Sequence, residues 1–335
     1  MQTGALTRWV LVMGMLCVVT AHADPLPSWN EGPVKQNIIN FVTDVTNKAS
    51  ADYVAPDDRI AAFDNDGTLW VEQPIYTQAI YTLARIHAVA PQHPEWKTKE
   101  PFKTVLSGDL AAIAKMSMAD FEMLIAVTHS GMTVEAFNDT VKDWLATAKN
   151  KHFNHLYTQL VYQPMLEAMK YLNDNNFTVY IVTGGGQEFV RAFSAKTYGI
   201  PVQRVIGSPV KTQYADNNHQ PTLTKLPAVL YVNDGPGKPE GINLFIGKKP
   251  IIAFGNSDGD RQMLEWTQSG TGKRLMLLVH HDDATREYAY GPESKVGTFS
   301  TSLMQEAQAQ KWQVISMKDD WKTIFAFDNT PAAAK

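Results

Sequence analysis

Two aspartates one residue apart, Asp64 and Asp66, follow the apolar run Ile60 to Phe63 in the segment IAAFDNDGTL. A run that short, bounded by turn residues, predicts a buried strand with both carboxylates at its carboxyl end. In open parallel α/β sheets, ligands bind at that edge. Two carboxylates crowded there repel each other and lose hydration, and a hard divalent cation held through oxygen compensates them. Three further segments carry complementary groups. Val179–Val182 runs into Thr183-Gly184-Gly185-Gly186, a hydroxyl followed by glycines whose N–H groups can approach an anion closely. Lys238 lies just ahead of a helix start at Pro239, where its ammonium and the helix dipole both favour negative charge. Ile251–Phe254 leads into GNSDGD (255–260), whose Asn256, Asp258 and Asp260 offer oxygen ligands to a metal. A carboxylate nucleophile, a second carboxylate to give and take protons, an anion receptor and a hard-metal site together describe phosphoryl transfer through an aspartyl-phosphate.

The elements that must position these groups alternate between strand and helix. Pro33 opens a helical pattern with Val34, Ile38, Phe41 and Val45 on one face. From about 75 to 155 no strand pattern occurs. Ser117 with Asp120 reads as a capping box, and Thr133 caps a helix whose Val134, Phe137, Val141, Trp144 and Leu145 form a packing stripe. Pro164 starts a helix carrying Met165, Leu166, Met169 and Leu172 that stops near Asn175-Asn176. Gln187 to Tyr198 forms another, ending at Gly199. The stretch 205–233 suggests irregular strands or a hairpin. Arg274–Val279 is a strand followed by His280-His281-Asp282-Asp283, read as a solvated polar loop. The pattern is α/β: a doubly wound parallel sheet built from 24–75 and 156–330, with an all-helical insert over 76–155.

Composition bounds the rest. Residues 1–23 read as a secretory signal peptide, with Arg8, an apolar stretch Trp9–Thr20 and the cleavage site Ala21-His22-Ala23. The only cysteine, Cys17, leaves with it, which suits an oxidising compartment, most simply a bacterial periplasm. The formal net charge of −4 gives no electrostatic reason to expect nucleic acid or an anionic membrane as partner. No obligate protein partner is inferred.

With DNDGT (64–68), IVTGG (181–185), Lys238 in GKPEGI and GNSDGD (255–260) in this order, the chain resembles the haloacid dehalogenase superfamily of phosphohydrolases. The resemblance covers nearly all of the chain beyond the leader. The insert looks like the C1 cap of the phosphoserine-phosphatase-like branch, on a Rossmannoid core. By that resemblance Asp64 attacks phosphorus, and Asp66 protonates the leaving oxygen and later activates water. Thr183 and the amides of Gly184 and Gly185, with Thr68, hold the phosphoryl group, and Lys238 neutralises charge. Mg2+ is held by the Asp64 carboxylate, the Asp66 backbone carbonyl and the fourth motif. That motif begins Gly255-Asn256 where relatives commonly have Gly-Asp. Asn256 can still offer a carbonyl oxygen with Asp260 behind it, and Asp258 is the alternative.

An acid at position 66 separates phosphatases, whose leaving alkoxide needs a proton, from the dehalogenases. The expected activity is a magnesium-dependent phosphatase for small phosphomonoesters, with His129 in the break between two insert helices contacting substrate. Phosphoserine phosphatases usually carry a glutamate about nine residues beyond the nucleophile; here Gln73 holds that position and Glu72 is one residue off register. A phosphotransferase or mutase with the same phosphoenzyme chemistry, and a non-catalytic periplasmic binding protein, are the alternatives.

Overall fold

The computed structural model describes residues 23–113, 115–216 and 218–329. Apart from Ala23, the expected leader lies outside them. Six strands form one parallel sheet: β1 (Ile60–Phe63), β2 (Thr178–Gly186), β3 (Val205–Ser208), β6 (Ile252–Gly255), β7 (Leu275–His280) and β8 (Gln313–Ser316), in the order β3-β2-β1-β6-β7-β8. The chain winds outward from β1 on one side, then crosses to build the other. This places a topological switch beside β1, where open α/β sheets bind ligands. Register aligns Phe63 with Ile181 of β2 and with Phe254 of β6, so three strands end together at the first aspartate.

All four residues of β1 are buried, as a strand covered on both faces requires. Phe63, Ile181, Phe254 and Leu277 point into a large cluster with α1 (Pro33–Thr46), α7 (Gln163–Asp174) and α8 (Gln187–Tyr198). Ala62, Val182, Ala253 and Leu278 point the other way, towards α9 (Gly237–Phe245), α10 (Arg261–Gln268) and α11 (Thr301–Gln310). The fold is therefore a doubly wound α/β sheet. The rings of Phe63 and Phe254 stack 4.3 Å apart and lock β1 to β6 just below the site.

Between β1 and β2 lie α2 (Thr77–Val89), α3 (Phe102–Ser107), α4 (Leu110–Ile113), α5 (Met118–Thr128) and α6 (Val134–Leu145), with no strand among the described residues of that stretch. Ser117 and Asp120 form the capping box at α5, and Thr133 Oγ1 accepts the Ala136 N–H at α6. The insert does not have a single core. Phe137, Val141 and Leu145 of α6 join the large cluster under the sheet. Ile86, Trp96, Phe102, Val105 and Leu124 form a separate small one, in which Trp96 stacks on Phe102.

The stretch 205–233 supplies edge strand β3 and then a detached hairpin, β4 (Val210–Asp216) and β5 (Pro221–Val229). This hairpin reaches the insert. Gly131 N–H donates to Lys225 O, and Lys225 N–H to Met132 O, each at 2.9 Å. The buried Lys225 ammonium lies 4.3 Å from the centre of the Phe137 ring, and burial lowers its pKa to about 8.

The two clusters should respond differently to truncation. Phe137→Ala should lower global unfolding free energy by about 3–5 kcal/mol. Trp96→Ala should chiefly speed amide exchange in α3 and α5, leaving the slowest amides of β1 and β6 unchanged. Equal acceleration of those sheet amides in both variants would show that the insert and core open as one unit.

Candidate active site

Lys238 organises the carboxyl edge of the sheet. It is the second residue of α9, fully buried, and its Nζ donates to Asp64 Oδ1 (2.5 Å), Asp260 Oδ1 (2.6 Å) and Val182 O (3.0 Å). Burial works against its charge, but Asp260, Asp64 and Asp234 overcome it and hold the ammonium's pKa above its ordinary value. Asp64 N–H continues the sheet by donating to Phe254 O (2.9 Å), which fixes the backbone under the carboxylate. The other oxygen of Asp260 accepts the N–H groups of Asn256 (2.9 Å) and Ser257 (3.1 Å), so this carboxylate braces the fourth motif as well as Lys238.

Asp66 sits in a tight loop. Trp70 Nε1 donates to its Oδ1 at 2.9 Å and Asn65 Nδ2 reaches its Oδ2 at 3.3 Å. Asn65 is itself buried, takes a hydrogen bond from the Tyr198 hydroxyl, and accepts the Leu69 N–H on its carbonyl. Asp66 thus has only neutral donors on its carboxylate, and burial raises its pKa. The loop's buried Gly67 carbonyl needs a donor. His281 Nε2–H supplies it at 2.7 Å. The solvated-loop reading of His280–Asp283 is thereby corrected: His281 and Asp283 are buried, and Arg286 pairs with Asp283.

The strand expected over 179–182 runs on to Gly186, because Gly186 pairs with Ser208 after a register shift from Val182. Thr183, Gly184 and Gly185 occupy that irregularity, where a bulge re-aims backbone groups. Gly185 N–H donates to Thr183 Oγ1 (3.0 Å) and Gly186 N–H to Gln78 Oε1 (2.8 Å). A methyl group placed on Gly185 would lie 3.2 Å from Thr183 Oγ1 and 3.7 Å from Asp66 Oδ2, so the first two motifs face one small space. Asp234, which the sequence did not single out, lies against Gly184 and Gly259, between the second and fourth motifs.

His129 is buried behind this loop. Gln78 Nε2 donates to its Nε2 (3.2 Å), and its Nδ1–H donates to Thr128 Oγ1 (2.8 Å), whose own hydrogen goes to Leu124 O. These partners require the neutral ring, and burial lowers the pKa to about 3. His129 therefore reaches the anion loop through Gln78. In the fourth motif, Asn256 is buried and its Oδ1 accepts the Thr68 hydroxyl (3.1 Å), while its Nδ2 donates to Glu72 Oε1 (2.7 Å). Asp258 instead accepts from Ser300 Oγ at 2.8 Å and lies 3.7 Å from Arg261, so its carboxylate serves the start of α11.

Charge is unbalanced here. Asp64 and Asp260 contact the Lys238 ammonium, Asp234 and Asp66 lie within its electrostatic reach, and Glu72 lies close enough to Asp64 and Asp66 to feel their charge. Burial and Asp260 push Asp64 well above the usual carboxylate range, and burial with Asp66 and Asp64 does the same to Glu72. Among the described residues no three His, Cys, Asp or Glu converge as a metal site. A cation here would combine carboxylate with neutral amide and carbonyl oxygens, a donor set suited to Mg2+.

Residues 61–265 match the family model of the haloacid dehalogenase-like hydrolases, and the chain belongs to that family. Its fold is similar to a functionally unknown protein from Anaerococcus prevotii, with TM-score 0.57, 14% identity, and 87% of this chain and 94% of that one covered. Similar too are a protein of unknown function from Bordetella pertussis (TM-score 0.47, 14% identity, 77% and 97% covered) and a phosphoserine phosphohydrolase-like protein from Francisella tularensis (0.39, 13%, 77% and 94%). No curated protein matches the sequence. Among the described residues no helix is long and apolar enough to cross a membrane.

The neutral His129 has a measurable consequence. Its folded pKa of about 3 lies below the ordinary 6.5, so its contribution is complete above pH 6.5. It is lost as pH falls from there towards 3, because the unfolded chain takes up a proton that the folded one refuses. Urea unfolding at pH 7 and 4.5 should show wild type losing about 2 kcal/mol more than His129→Gln. An identical loss in both would rule out a buried neutral ring.

Proposed function

We propose that the protein is a magnesium-dependent phosphatase that hydrolyses small phosphomonoesters through an aspartyl-phosphate on Asp64. The carrying observation is the division of the paired aspartates. Asp64 is held by the Lys238 ammonium, whereas Asp66 is held by neutral donors and faces Thr183 and Gly185. The first suits a nucleophile and the second a proton carrier.

In the first step an Asp64 oxygen bonds to phosphorus as the ester P–O bond breaks, and Asp66 gives its proton to the departing alkoxide. In the second, Asp66 takes a proton from water, the water oxygen bonds to phosphorus, and the Asp64 carboxylate leaves. The phosphoryl oxygens take the Thr183 hydroxyl and the amides of Gly184 and Gly185, replacing the internal Gly185 N–H to Thr183 Oγ1 bond. Lys238 neutralises charge throughout. The Asp64 carboxylate, the Asp66 carbonyl oxygen and Asn256 Oδ1 would hold Mg2+, which would supply the positive charge that an anionic nucleophile needs to approach an anionic ester. Asp260 orients this set through Lys238 and the Asn256 amide. The insert covers the site and restricts it to small substrates, and the leader directs the enzyme to the periplasm.

Asp64→Asn should abolish turnover with circular dichroism unchanged, and exhaustive chelation of wild type should do likewise. Wild-type-like rates in either case would defeat the mechanism. Asp66→Asn should slow hydrolysis of an alkyl phosphate by about 10²–10⁴-fold. An aryl phosphate, whose leaving group needs little protonation, should lose far less. Equal losses, with no phosphoenzyme trapped by acid quench, would remove Asp66 from proton transfer.

A further inference from the structure

Glu72 is almost completely buried and has no cationic partner in the hydrogen bonds that define its place. Its Oε1 accepts from Asn256 Nδ2 at 2.7 Å and from the Tyr290 hydroxyl at 2.6 Å. The surroundings are shaped to admit it. Gly67 and Gly297 both have positive φ, and a methyl group on either would fall 2.3 Å or 1.7 Å from Glu72 Oε1. Tyr290 stacks on His281 at 4.4 Å, and His281 holds the Gly67 carbonyl. Two chain segments far apart in sequence thus build a seat for one carboxylate directly behind the fourth motif.

An amide side chain presents a donor at one end and an acceptor at the other. Turning Asn256 over would set its oxygen against Glu72 Oε1, a contact between two acceptors, whereas the Thr68 hydroxyl could rotate to accept the NH2. Burial leaves no water to relieve that conflict. Glu72 therefore dictates which end of Asn256 is the acceptor. It also places a carboxyl group one hydrogen bond behind an asparagine that has none.

We propose that Glu72 is a positioning residue for Asn256, fixing its oxygen as a cation ligand and placing, one hydrogen bond behind, the carboxyl group that position 256 lacks. Carboxylates behind ligating histidines act in the same way. This rests on the magnesium reading above but concerns how the ligand is set and charged. Two protein donors, Asn256 Nδ2 and the Tyr290 hydroxyl, meet on Glu72 Oε1 and fix its place behind Asn256.

The test moves the carboxylate. Mg2+ is titrated calorimetrically into the chelator-stripped full chain as wild type, Glu72→Gln, Asn256→Asp and the double variant, without substrate. Glu72→Gln should weaken Mg2+ binding about 10–100-fold. Adding Asn256→Asp to it should restore most of that affinity, because the charge returns at position 256 with a neutral amide behind it. Wild-type affinity in Glu72→Gln, or a double variant no better than Glu72→Gln, overturns the proposal. If Glu72→Gln does not fold, the double variant decides alone: near-wild-type affinity sustains the proposal and lost affinity overturns it. A wild type that hydrolyses phosphomonoesters yet binds no Mg2+ overturns this inference and leaves a phosphatase. The predicted rescue in a chain that hydrolyses none sustains it and overturns the phosphatase reading.

Discussion

One buried ammonium holds this molecule's working edge together. Lys238 donates to Asp64 beyond β1, to the carbonyl of Val182 in β2 and to Asp260 beyond β6. Those three groups can meet only if the strands end level, and the parallel register that pairs Phe63 with both Ile181 and Phe254 ensures this. Desolvating a lysine and two carboxylates is costly, and removing the lysine leaves both carboxylates buried and uncompensated. The arrangement is thus poor material for stability and good material for position. It sets Asp64, the loop after Val182 and the segment 255–260 relative to one point.

The cluster carries more negative charge than Lys238 can balance, and the excess is informative. Burial and Asp260 raise the pKa of Asp64 against the opposing pull of Lys238. Added positive charge at this edge would act with Lys238 to favour the carboxylate form. Asp66 stands apart because Trp70 and Asn65 are neutral donors. The two aspartates are neighbours in sequence but not in electrostatic environment, and this separation gives them different roles.

Much of this was legible in the chain. The strands at 60, 179, 251 and 274, the caps at Ser117 and Thr133 and the helix from Gln187 to Tyr198 follow from local signals that tertiary packing leaves intact. The paired aspartates, Thr183 and Lys238 were visible because strand ends in such sheets converge. Glu72, Gln78, Asp234, His281 and Tyr290 were not, because each acts through a partner far away in sequence. Asn256 lies 184 residues from Glu72, and Gly67 lies 214 from His281. The one local hint was that Glu72 directly follows the apolar run Leu69-Trp70-Val71, where an unpaired charge would be costly if buried. β8 and α11 lacked a strong periodic signal, and the extension of β2 through three glycines depends on a partner strand.

The insert shows how packing can contradict a division drawn along the chain. By sequence, 76–155 is one helical unit joined to the core at two points. By packing, α6 belongs to the sheet's main cluster and only α3, α5 and their neighbours around Trp96 have a core of their own. The hairpin β4-β5 adds a third attachment where Lys225 pairs with Gly131 and Met132. From the same region His129 and Gln78 lead directly to the Gly186 amide of the anion loop. Moving the whole insert would break the α6 packing and this polar chain together. The small cluster around Trp96, with few buried side chains, costs less to displace.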